Sequence, residues 1–149
     1  MNLEIGNKAP DFSAPNQKGE TKTLADYSGK KLVLYFYPKD DTPGCTAEAC
    51  NLRDNYTELL NQGFEILGVS PDNEAKHQKF IDKYELPFDL LADVDHSIAE
   101  AYGVWVEKNM YGRKYMGIAR TTFIIDESGN IEEIIAKVKT KEHSSQILN

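Results

Sequence analysis

The chain has 149 residues, 40% of them hydrophobic, a composition of an ordinary globular protein. That length supports one folding unit, residues 1–149, able to bury roughly 70% of the surface its unfolded chain exposes. The net charge of −7 leaves no basic stripe to displace counterions from phosphates, which argues against nucleic acid as a partner. In chain order, Met1 to Pro10 is polar and lacks the apolar segment of a secretory signal. Thr23 to Tyr27 is a short segment ending at Ser28-Gly29. Leu32 to Tyr37 runs apolar without alternation, as a strand covered on both faces does, and Pro38 stops it. It is the longest unbroken apolar run and far too short to span a bilayer, so no membrane partner and a cytoplasmic location are expected.

Pro38 to Gly44 is a loop, and Ala47 to Gln62 reads as one helix with Leu52, Tyr56, Leu59 and Leu60 at helical spacing and Gly63 at its end. Phe64 to Val69 is a second buried strand. Asn73 caps a helix to about Tyr84, with Phe80, Ile81 and Tyr84 on one face. Pro87 to Leu91 is a short strand, and Ser97 caps a short helix through Tyr102, ending at Gly103. Thr121–Ile125 and Ile131–Val138 form an antiparallel hairpin around the turn Asp126 to Asn130, with Lys137, Lys139 and Lys141 on an exposed strand face. A terminal helix covers Lys141 to Leu148. Strands alternating with helices and closed by a hairpin predict an α/β fold, a mixed central sheet flanked by helices.

The chemistry concentrates in Pro38 to Cys50. Cys45 falls at or just before the first turn of a helix that follows a buried strand, where unpaired N–H groups and the helix dipole favour an anionic thiolate. Cys50 lies five residues on, inside the same helix. On ideal geometry their Cα atoms are roughly 8–9 Å apart, and a disulfide needs about 7 Å or less. They cannot join while that helix is intact, which suggests two chemical states of one segment. Spacing alone leaves two readings open: redox-active thiols, or two small buried hydrophobes. Structural zinc needs four ligands, and no second Cys pair or spaced His pair exists. His77, His96 and His143 read as ordinary surface or core histidines, and no metal or other cofactor is expected. Glu48, one turn along the helix, is read either as orienting a neighbour or, in preference, as a solvated carboxylate, and Arg120 as a surface charge at a strand edge.

Pro38-x-x-x-Thr42-x-x-Cys45 resembles the active-site signature of the peroxiredoxins, and Cys50 resembles the resolving position of the bacterioferritin comigratory protein, or peroxiredoxin Q, subgroup. The likeness extends over Gly6, Ala9 to Phe12, Gly29-Lys30, Tyr35 to Pro38, Gly68 to Ser70, Leu86 to Phe88, Tyr111-Gly112 and Gly117 to Asp126. The chain departs at Leu52, where an aromatic residue is common in that subgroup. The resemblance implies a thioredoxin-like fold with an N-terminal extension and a monomer. It implies Cys45 as the peroxidatic and Cys50 as the resolving cysteine, with Thr42 and Arg120 completing the site and Pro38 shielding its pocket. The activity it implies is reduction of hydrogen peroxide and organic hydroperoxides through a Cys45 sulfenic acid and a Cys45–Cys50 disulfide, recycled by thioredoxin or a similar dithiol. Two other readings compete: a dithiol oxidoreductase, disfavoured because C-x-x-C is absent, and a non-enzymatic peroxide sensor.

Overall fold

The computed structural model describes residues 3–148. Strand β1 (Ser13–Pro15) pairs antiparallel with β2 (Thr21–Thr23), and a 3₁₀ turn over Leu24–Tyr27 leads to β3 (Lys31–Phe36). After it come α1 (Pro43–Asp54), α2 (Tyr56–Asn61), β4 (Phe64–Ser70), α3 (Glu74–Tyr84), β5 (Asp89–Ala92) and α4 (Ser97–Ala101). The chain continues with β6 (Trp105–Met110), β7 (Arg113–Ile118), β8 (Thr121–Ile125), β9 (Ile131–Ile135) and α5 (His143–Leu148). The central five-stranded sheet has the order β5-β4-β3-β8-β9; β3, β4 and β5 are mutually parallel, and β8 and β9 join antiparallel. This is a thioredoxin-like α/β fold preceded by an N-terminal hairpin.

Strand β3 divides the core, because alternate side chains of a strand point to opposite faces. Leu32, Leu34 and Phe36 pack with Leu67, Val69, Phe123 and the α4 residues Ile98 and Ala99. Val33, Tyr35 and Tyr37 pack with Ile66, Leu90 and Ile124 beneath Cys45, Ala49 and Leu52 of α1, Phe80 of α3 and Ile147 of α5. Gly68 on β4 makes the second face possible: a Cβ there would lie 2.7 Å from Leu90 Cδ2 and 2.9 Å from Tyr35 Cζ.

Several local expectations change. The helix expected over residues 47–62 starts earlier, at Pro43, whose missing N–H costs nothing at a first helical position. It breaks at Asn55, whose side chain donates to Asn51 O at 2.9 Å and competes with the backbone ladder. Ser97 is the first residue of α4 and His96 its N-cap; the capping bonds come instead from Asp93, whose carboxylate accepts from Ile98 N at 3.0 Å and Ala99 N at 2.9 Å. Strand β9 ends at Ile135, so Lys137, Lys139 and Lys141 are exposed but belong to no strand. The antiparallel hairpin β6–β7 has no counterpart among the expected elements; its polar outer positions and exposed Met110 and Tyr111 hide the period-two pattern of a half-buried strand. Asn73 caps α3 as its sequence predicts, accepting from Lys76 N at 2.9 Å.

Candidate active site

The site forms where β3 gives way to α1. Tyr37 closes the strand run, and its hydroxyl donates to Asp40 Oδ1 at 2.5 Å. Asp40 also faces His77 Nδ1 at 2.6 Å, and its backbone N–H donates to Asp72 Oδ2 at 2.7 Å. His77 Nε2 meets Leu91 O at 2.8 Å, and a carbonyl only accepts, so Nε2 carries a proton and Nδ1 faces the Asp40 carboxyl group. Asp41 adopts a left-handed φ of 57° and is held there by Lys83 at 2.8 Å and Tyr84 at 2.7 Å. These bonds fix the loop that delivers Thr42 to the start of α1. No local pattern marks the Asp40–His77 pair, because its members lie 37 positions apart.

Thr42 is the extended N-cap of α1; its carbonyl accepts from Thr46 N at 2.8 Å, and its hydroxyl donates to Lys39 O at 2.8 Å. Cys45 sits in the first turn and is 2% exposed. Arg120, in the link between β7 and β8, approaches from across the sheet: its Nη2 donates to Cys45 Sγ at 3.4 Å and its Nη1 to Glu48 Oε1 at 2.7 Å. Gly44 permits this approach, since a Cβ there would lie 3.1 Å from Arg120 Nη2. Burial works against the Arg120 charge, yet Cys45 and Glu48 together hold its pKa above the ordinary value.

The structure thus brings Cys45 and Arg120 into contact across 75 positions. Thr42 adjoins them through the helix start, with its hydroxyl turned to Lys39 O. Cys50 is half-buried on α1, and both cysteines are free thiols. Pro38 follows β3 at the head of the loop, half-buried.

Glu48 is not solvated as its sequence suggested. It is fully buried, because α1 turns its Cys45–Glu48–Ala49–Leu52 stripe toward the sheet. The spacing i, i+3, i+4, i+7 is the apolar-face pattern, and a carboxylate within it was the available signal. Burial pushes its pKa up to about 7, against the lowering effect of Arg120. Its second oxygen, Oε2, has no hydrogen-bond partner among the described residues and lies 3.6 Å from His143 Nε2. His143 is likewise fully buried, on α5, and burial holds its pKa below the ordinary histidine value. A buried thiol beside a fixed cation, at a helix start, is equipped to carry a thiolate and to stabilise negative charge that grows on an atom bonded to it.

An α/β fold of thioredoxin type with a buried, arginine-contacted cysteine at the β3–α1 junction defines a thiol-chemistry protein. Residues 5–134 match the AhpC/TSA family. A protein of Coxiella burnetii called putative peroxiredoxin bcp is 51% identical over 148 residues, 99% of this chain and 98% of that protein. Peroxiredoxin Bcp of Bacillus subtilis is also 51% identical, over 99% of this chain and 94% of its own. The structure of peroxiredoxin Q from Xanthomonas campestris superposes with a TM-score of 0.89 at 37% identity, covering 99% of this chain and 93% of that one. The chain therefore belongs to the AhpC/TSA family, among the peroxiredoxins of the Bcp and peroxiredoxin Q group. No helix among the described residues is long and apolar enough to cross a membrane.

Proposed function

We propose that this peroxiredoxin reduces hydrogen peroxide and organic hydroperoxides at Cys45 and is recycled through Cys50. The observation that carries the reading is the 3.4 Å contact from Arg120 Nη2 to the buried Cys45 Sγ at the start of α1. The Cys45 thiolate attacks the terminal peroxide oxygen, the O–O bond breaks, and the departing alkoxide or hydroxide leaves as alcohol or water after taking up a proton. Cys45 becomes a sulfenic acid, oxidised by two electrons. Arg120 stabilises the charge that grows on the leaving oxygen. The Thr42 hydroxyl, donating to Lys39 O, keeps its lone pairs free to accept from the incoming peroxide. Pro38 shields the pocket from water.

The Cys50 thiol then attacks the sulfenic sulfur; an S–S bond forms and water leaves. A dithiol, thioredoxin in this reading, returns two electrons by thiol–disulfide exchange. Both cysteines lie in one chain, so a monomer working in the cytoplasm suffices, and no metal or organic cofactor enters any step. A structural neighbour from Xanthomonas campestris is described in terms of its alkyl peroxide reduction activity, which supports including organic hydroperoxides.

The test is peroxide consumption coupled to thioredoxin and its reductase. Wild type turns over, and Cys45→Ser loses nearly all turnover, because a serine hydroxyl is a poor nucleophile toward peroxide without a base. A Cys45→Ser protein that retains most of its turnover overturns the assignment.

A further inference from the structure

Beside the thiol chemistry lies a buried pair that the reaction above leaves unused. Glu48 Oε1 is occupied by Arg120, while Oε2 is buried without a hydrogen-bond partner among the described residues, 3.6 Å from His143 Nε2. The state of that ring nitrogen follows from its surroundings. Gln146 is oriented by donating from Nε2 to Lys137 O at 2.9 Å and accepting at Oε1 from Lys139 N at 2.9 Å. Its Oε1 therefore accepts also from His143 Nδ1 at 2.8 Å, so Nδ1 carries the proton and the neutral ring has its lone pair on Nε2. The Thr122 hydroxyl fills that lone pair by donating at 2.7 Å. Two acceptors, Oε2 and Nε2, thus face each other in a buried space with no hydrogen between them. One proton placed there gives Oε2 the partner it lacks, and the Thr122 hydroxyl supplies Nε2 when that proton is gone.

We propose that His143, brought from the end of the chain by α5, is a positioning residue of the peroxide site: it shares one proton with Glu48, and that proton sets how much of the Arg120 charge is free to act at Cys45. With the proton bound, Glu48 is neutral and the Arg120 cation serves the sulfur and the leaving oxygen. With the proton lost, Glu48 is an anion 2.7 Å from Arg120 and takes up much of its field. The other groups facing the pair do not titrate in its range. Tyr35 from β3 is buried with its hydroxyl unpartnered among the described residues, and burial followed by Glu48 keeps its pKa well above the ordinary value. Arg120 stays charged, and Thr122 of β8 does not ionise. Cys45, on the same helix, is the group acted upon. The pH-dependent element is therefore the Glu48–His143 pair, for which burial lifts the carboxyl toward 7 and lowers the imidazole.

This inference rests on the peroxidase reading, and the experiment separates the two. The full-length reduced protein is mixed with hydrogen peroxide across a pH series, and loss of the Cys45 thiol is followed by quenched alkylation and mass spectrometry. In parallel, NMR follows the His143 ring nitrogens. The rate constant of wild type falls roughly tenfold as pH rises through a midpoint near 7, the fold-change of one pKa unit of interaction, and His143 Nε2 shifts with the same midpoint. Glu48→Gln, whose neutral amide imitates the protonated acid, loses both the alkaline decline and that NMR step. His143→Gln donates an amide N–H to the Glu48 carboxylate, favours its anion and moves the decline to lower pH. A merely structural role scales the rate equally at every pH, so profiles of the three proteins that superpose after scaling overturn the proposal. So does a His143 Nε2 resonance that stays constant through the wild-type midpoint, a result available even if His143→Gln fails to fold. Wild type reacting with peroxide but with a flat alkaline limb sinks the shared proton alone; wild type inert to peroxide sinks the peroxidase reading itself.

Discussion

Joining Cys45 to Cys50 has to open α1, and the cost can be worked from its packing. On helix geometry their Cα atoms are roughly 8–9 Å apart, beyond the ~7 Å reach of a disulfide. Opening from the cap onward breaks the Thr46 N to Thr42 O bond of 2.8 Å and the turns that follow it, some five bonds at about 1 kcal/mol net each. It also lifts Cys45, Ala49 and Leu52, each at most 2% exposed, off the sheet. Leu52 contributes about 2 kcal/mol and the two smaller side chains about 1–2 kcal/mol together. The total is on the order of 8 kcal/mol, so α1 opens rarely in the reduced protein, in roughly one molecule in a million at ~1.4 kcal/mol per decade. In the proposed cycle a Cys45 sulfenic acid would therefore wait for that opening, and excess peroxide would carry part of it on to sulfinic acid. Leu52→Ala removes about 2–3 kcal/mol from the closed form and should speed disulfide closure by one to two decades, roughly, while lessening over-oxidation. Hydrogen exchange on the reduced and oxidised proteins, with closure rates for both sequences, makes the check. Equal protection of residues 47–54 in the two redox states refutes the reasoning, and so does an unchanged closure rate in Leu52→Ala.

Three further outcomes follow from the same site. Arg120→Ala removes the donor to Cys45 and should slow peroxide attack by about 10²–10³, read by rapid mixing; an unchanged rate constant means that the cation is a bystander. Gly44→Ala places a Cβ against Arg120 Nη2, 3.1 Å away, and should slow attack roughly tenfold by shifting the guanidinium, with a wild-type rate as the contrary result. Glu48→Gln tests the buried acid through stability. The Glu48 pKa rises from 4.5 to about 7 on folding, so its protonated form favours the fold below pH 4.5 and that contribution is lost as pH rises to about 7. Urea melts should show the variant gaining on wild type by about 3 kcal/mol across that window, and a pH-independent difference would contradict the burial argument.

Elements whose cause is local are legible in the sequence. The unbroken apolar run of β3, the Asn73 cap, the turn from Asp126 to Asn130 and the placement of Cys45 at a helix start all follow from neighbouring residues, because propensity, capping and turn chemistry act over a few positions. The Pro38-x-x-x-Thr42-x-x-Cys45 motif is likewise contiguous, so its family likeness was readable at once. Where one helix was expected, the break at Asn55 depends on a side-chain bond whose competition with the ladder is close to balanced. Tertiary structure alone decided the fate of the charges. Glu48 looked solvated because a carboxylate usually is, and only the packing of α1 between the sheet and α5 puts it out of reach of water. Arg120 looked like a surface charge, and the antiparallel pairing of β3 with β8 carries it to Cys45. His143 reaches Glu48 because α5 docks on α1, where Ser144 N donates to Asn51 Oδ1 at 2.8 Å. Whether a charge is buried, paired or shifted depends on what meets it from distant parts of the chain, and no window of neighbouring residues contains that information.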